Sequence, residues 1–133
     1  MASLDTNVRI RYLAQDDPKQ LAATRALLHR CIATGLQLFV PVSVALELEW
    51  VLRSSLGLSK PEVIQALHDL LGAEELNFES DKAIEFALSF YRKSTADYAD
   101  CVHAALALQA GETPFWTFDR QAARLAGAQL LST

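Results

Sequence analysis

Asp5, Glu47, the pair Asp97 and Asp100, and Asp119 are far apart along the chain, yet each stands where a strand is expected to end or a helix to begin. Asp5 follows a short apolar start in Leu4-Asp5-Thr6-Asn7-Val8, Glu47 lies one helical turn past Ser43, and Asp119 closes the aromatic run Phe115-Trp116-Thr117-Phe118. If the strands are parallel neighbours, their carboxyl ends open onto one crevice, the usual ligand position in an open α/β sheet. Carboxylates gathered there repel one another unless a cation joins them. The set therefore points to a hard divalent metal held by oxygen ligands.

The elements that would carry these residues follow from the punctuation of the chain. Pro18 suits the first turn of a helix that continues through Leu27, Leu28 and Ile32 and stops at Gly35. A strand at Gln37 to Val40 leads through Pro41 into a helix capped near Ser43 and ended by Gly57. Ser59-Lys60-Pro61-Glu62 is a capping box with proline in the first turn, opening a further helix. A strand near Leu76 to Phe78 precedes a helix from Ser80 to Arg92, and another helix runs from Thr95 to Ala110, stopped by Gly111. Phe115 to Phe118 reads as strand, Arg120 to Ala126 as a short helix, and Gln129 to Leu131 as a last strand. Strands alternating with one or two helices predict an α/β fold with parallel pairing and crossover helices on both faces of the sheet.

Each acid has an ordinary structural role to set beside the chemical one. Asp5 could be a plain N-cap, although Asp, Thr and Asn together are more capping chemistry than one helix needs. Glu47 lies in a helix apolar around most of its circumference, so its charge is expected to be partly desolvated. Its side chain leans back over Ser43, toward the strand ends. Glu49 is about 200° further around the same helix at about 100° per residue, and is expected to be a solvated or salt-bridged surface residue. Asp97 and Asp100 share a helix face. Ser94-Thr95-Ala96-Asp97 resembles a capping box, which offers Asp97 a first-turn role. Asp100 sits deeper, ahead of the small-residue run Cys101-Val102-His103-Ala104-Ala105, where capping explains less. Asp119 could cap the short helix that follows it, with the Thr117 hydroxyl beside its carboxylate. His103 is expected to be a partly buried histidine bonded to a neighbour, since no ligand pair accompanies it.

With 133 residues the chain is expected to be one domain, 1–133, long enough to bury about two thirds of its unfolded surface. A hydrophobic content of 51% with 21% charged residues excludes a disordered chain. No apolar run approaches the roughly 20 residues of a membrane span. The stretch from Met1 to Asp5 has no secretory character; a Cys31–Cys101 disulfide is compatible with the sequence, but a cytoplasmic protein with both thiols reduced and buried is expected. The net charge of −4 argues against a basic coat for duplex DNA, although bound metal would invert the local charge of an acidic cleft. Basic residues do flank the acids: Arg9 and Arg11, Arg92 and Lys93, Arg120 and Arg124. P-loop, G-x-S-x-G and G-x-G-x-x-G patterns are all missing, which removes several enzyme classes.

Leu4-Asp5-Thr6-Asn7-Val8 resembles the opening of PIN-domain nucleases, especially the VapC-type toxins of bacterial toxin–antitoxin pairs. Arg11-Tyr12-Leu13-Ala14-Gln15-Asp16-Asp17-Pro18 is similar to one branch of that family. Glu47-Leu48-Glu49-Trp50-Val51-Leu52-Arg53 looks like its second motif, with Glu47 in the acidic slot. Asp97-Tyr98-Ala99-Asp100, followed by Ala104 and Ala105, is similar to the third, and Thr117-Phe118-Asp119-Arg120 to the fourth. The resemblance runs along essentially the whole chain. It implies a three-layer α/β/α fold with a central parallel sheet, Mg²⁺ or Mn²⁺ dependence, and endonucleolytic cleavage of RNA to 5′-phosphate and 3′-hydroxyl ends. It also implies a homodimer and a cognate antitoxin that inserts into the active site. Asp5, Glu47, Asp100 and Asp119 would be the catalytic metal ligands, with Asp97 as a further candidate. Asn7, Ser43 and Thr117 would support them, and Arg9, Arg11 and Arg120 would contact substrate. Arg9 and His103 depart from the family's apolar residues at those positions.

Two other functions fit a chain of this type. A phosphatase or phosphotransfer domain would use Asp5 as nucleophile, but the second acid expected two residues on is Asn7. A non-catalytic PIN-like module for protein or RNA contact would not need all four acidic slots filled.

Overall fold

The computed structural model describes residues 2–3 and 18–133, which fall into two compact units on either side of Glu79. Asp5, Asn7, Arg9 and Arg11 lie outside the described residues.

In the first unit, strands β1 (Ala2–Ser3), β2 (Leu38–Val40) and β3 (Leu76–Phe78) form a parallel sheet in the order β1-β2-β3. The register sets Leu38 beside Leu76 and Val40 beside Phe78. These four side chains are buried, so alternate positions on both strands feed one core. Helix α1 (Pro18–Thr34) precedes β2 and ends at Gly35, whose φ of 70° is left-handed and closes the helix. Helix α2 (Val42–Ser54) follows β2 and buries Ala45, Leu48 and Leu52. Helix α3 (Lys60–Leu71) opens with the expected capping box: Ser59 Oγ accepts from Glu62 N–H, and Ser59 N–H donates to Glu62 Oε1 at 2.9 Å. Its apolar residues Val63, Ile64, Leu67 and Leu70 recur at helical spacing and are buried.

In the second unit, helix α4 (Asp81–Lys93) packs along helix α5 (Tyr98–Ala110). Ala83 and Ala87 on one helix and Cys101, Ala104 and Ala105 on the other are buried, and such small side chains permit close approach. Tyr91 and Tyr98 meet edge to face, with ring centroids 5.4 Å apart. Strands β4 (Phe115–Thr117) and β5 (Ala128–Leu130) pair in parallel, with Thr117 opposite Leu130. Every strand pairing among the described residues is parallel, as the alternation of elements implied.

Three element starts differ from expectation. Helix α2 begins at Val42 with Pro41 in the capping position, so Ser43 lies inside the first turn rather than at the cap. Helix α5 begins at Tyr98, three residues later than Thr95, and Asp97 takes the capping position. Asp97 rather than Ser94 takes that position, and Ser94 Oγ accepts from Ala96 N–H in a local turn. The helix expected from Arg120 to Ala126 contracts to a single 3₁₀ turn at Ala122–Arg124.

Candidate functional site

Asp100 lies in the first turn of α5 and is half-buried. Its carboxyl is pushed above the ordinary aspartate range, chiefly by desolvation, then by the negative charges of Asp119 and Asp97, with His103 acting in the opposite sense. Charge repulsion of this kind requires proximity. Residues from the start of α5 and from just past β4 are therefore brought together. Oxygen ligands that raise one another's proton affinity suit a hard divalent cation. Among the described residues, however, no three His, Cys, Asp or Glu side chains converge closely enough to form a complete metal site.

The local structure of Asp119 explains its position. Its N–H donates to Thr117 Oγ1 at 3.0 Å. Its Oδ1 accepts from the N–H groups of Gln121 (2.8 Å) and Ala122 (2.9 Å). Asp119 thus caps the 3₁₀ turn, the ordinary role set out for it, and the cap fixes the carboxylate at the end of β4. Beside this turn, Gln121 is hydrogen-bonded to Thr95. Gly127 fixes the opposite side of the strand pair. Its φ is +78°, its carbonyl accepts from Phe115 N–H, and an added Cβ would lie 2.7 Å from Leu108 Cδ2.

Asp97 occupies the capping position of α5 but makes no side-chain capping bond; its carbonyl accepts from Cys101 N–H. It is exposed and contributes to the site as a charge. His103 is exposed rather than partly buried, and its ring lies 6.2 Å from that of Phe115. Arg92, Lys93, Arg120 and Arg124 are exposed.

In the first unit, the two glutamates of α2 have exchanged the environments expected of them. Glu47 is exposed. Glu49 is 5% exposed, and its Oε1 accepts from Arg53 Nε at 2.9 Å. The buried face of α2 runs through Ala45, Leu48, Glu49 and Leu52, and this stripe turns Glu47 outward. One structural tie at the start of α2 went unread in the sequence. Glu79, just past β3, accepts the Val42 N–H through Oε1 at 2.8 Å. The available signal was Pro41, whose side chain cannot cap the helix that follows.

The chain is 25% identical over 125 residues to a VapC ribonuclease from Aquifex aeolicus (strain VF5), an alignment covering 94% of this chain and 92% of that protein. Parallel strands, an acid after β4 and an acid entering α5 are set in a sequence whose residues 2–128 match the family model described as PIN domain. The chain belongs to the PIN domain family and has its α/β fold.

Proposed function

We propose that this chain is a Mg²⁺- or Mn²⁺-dependent endoribonuclease, the toxin of a toxin–antitoxin pair, working as one nuclease domain over 1–133 and as a cytoplasmic homodimer. The observation that carries the reading is the half-buried Asp100 with the charges of Asp119 and Asp97 close enough to raise its proton affinity, in a chain of the PIN domain family. Similarity to a VapC ribonuclease supports RNA as the substrate.

Asp100 and Asp119, with Asp5 and Glu47, would hold the ion. When bound, it lowers the pKa of a water nucleophile and offsets charge on the phosphate. The chain's own contribution is placement. The two backbone N–H groups on Asp119 Oδ1 restrict rotation of that carboxylate. Thr117 Oγ1 already accepts the Asp119 N–H, which leaves its O–H to donate to a phosphate oxygen or a water. Asn7 and Ser43 would orient the acids near them. Arg9, Arg11 and Arg120 would contact the RNA backbone, which Arg120 can do from an exposed position.

The test is cleavage of single-stranded RNA by purified chain with Mg²⁺, with Mn²⁺ and with chelator. Cleavage should need the metal and be lost in Asp5→Asn and Asp119→Asn. Unchanged metal-dependent cleavage by both variants would exclude the assignment.

A further inference from the structure

Helix α2 starts with a difficulty of its own sequence. Pro41 occupies the capping position, with φ −61° and ψ 155°, and makes no side-chain capping bond. The first turn of any helix exposes N–H groups that have no partner within the helix. Here Val42 N–H donates to Glu79 Oε1 at 2.8 Å, from a residue 37 positions away. The main chain of Glu79 is held as well, its N–H donating to Val40 O at 2.9 Å. Ser80, which follows, adopts a left-handed φ of 55°, uncommon for a residue other than glycine. Glu79 thus ties the ends of β2 and β3 to the first turn of α2, and its charge complements the positive end of the helix dipole.

Ser43 follows Val42 directly. In a regular helix the Glu47 N–H bonds to the Ser43 carbonyl, so the pose of this turn sets the direction in which the exposed Glu47 carboxylate leaves the helix. We propose that Glu79 is a positioning residue for Glu47, fixing the turn from which Glu47 reaches the divalent cation. The proposal rests on the reading of Glu47 as a metal-holding residue. It gives Glu79 no contact with metal or substrate.

The test uses the full chain with Mn²⁺ alone, titrated by calorimetry well below the melting temperature, alongside RNA cleavage as a function of Mn²⁺. Glu79→Ala should bind Mn²⁺ about tenfold more weakly, the scale of losing a residue that orients a ligand, with cleavage recovering at saturating metal. Glu79→Gln, whose amide oxygen can accept the same bond, should bind like the native chain. If Glu79→Ala does not fold, Glu79→Asp takes its place, keeping the charge but falling one methylene short. Native Mn²⁺ affinity in the truncated variant would overturn the proposal, as would a loss in Glu79→Gln as deep as in Glu79→Ala. Glu47→Gln separates the two readings. If it binds Mn²⁺ and cleaves RNA like the native chain, Glu47 is not a metal-holding residue and the proposal falls with that reading. If it loses both while Glu79→Ala is unaffected, only the role of Glu79 is refuted.

Discussion

Asp100 is partly withdrawn from water and lies close to two other acids. Both conditions favour its protonated form, so the folded chain binds this proton more tightly than the unfolded chain does. Stability should therefore fall as pH rises from the ordinary aspartate range through the raised folded value, and the deficit persists at neutral pH. Asp100→Asn should raise the melting temperature of the metal-free chain at pH 7, narrow its difference from the melting temperature at lower pH, and abolish cleavage. An unchanged melting temperature would show that the repulsion is fully relieved without metal. Asp97 should behave differently. It makes no side-chain capping bond, so Asp97→Ala loses only the interaction of a charge with the helix dipole, about 0.5 kcal/mol, partly offset by relief of Asp100. Urea unfolding of the variant measures this, and a loss near 2 kcal/mol would show that the cap does form in solution. At this scale the acid types and their order were legible. Which acid would be desolvated was not, because Glu47 and Glu49 are chemically alike and only the packing of Leu48 and Leu52 decides between them.

An element's ends were legible wherever the signal was local and unambiguous. Gly35 and Gly111 close their helices with left-handed φ values of 70° and 72°, and Ser59 with Glu62 opens α3 as its spacing implied. The starts of α2 and α5 were misplaced because one of these conditions failed. For α2 the partner of the Val42 N–H lies on Glu79, across 37 residues. At α5 the signal is local but ambiguous, because Ser94 serves a turn bond to Ala96 N–H as readily as a helix cap. The limit met at the start of α2 applies also to its Glu49–Arg53 pair, where burial follows from the tertiary fold. Glu49 is nearly enclosed, whereas the Arg53 side chain is half exposed. Removing the arginine takes a charged hydrogen bond from a carboxylate that water reaches poorly. Arg53→Met should cost roughly 1–3 kcal/mol in chemical denaturation and leave cleavage per folded molecule unchanged. A selective loss of activity without loss of stability would move Glu49 from the framework into the site.

On the scale of the whole molecule, parallel pairing could be read from the alternation of elements, but the pairing register of Leu38 with Leu76 and of Phe115 with Ala128 could not. Register depends on which faces are buried, and that is decided by partners distant in sequence. The same acids bear on how an antitoxin would keep the proposed toxin, a chain of net charge −4, inactive. Asp97, Asp100 and Asp119 close together favour the approach of a cation. A divalent ion supplies positive charge to two or more carboxylates at once. An arginine of a bound antitoxin supplies it through a planar fork suited to a carboxylate. Either relieves the repulsion that raises the Asp100 pKa, and both need the same oxygens, so they should compete. The purified toxin–antitoxin complex is expected to bind Mn²⁺ more weakly than the free toxin, and excess Mn²⁺ should in turn weaken the complex by the same factor, since coupling between two ligands is reciprocal. Calorimetric titration of both forms measures this. Equal Mn²⁺ affinity in the free and bound states would show that the antitoxin inhibits from elsewhere on the surface and leaves the carboxylates open.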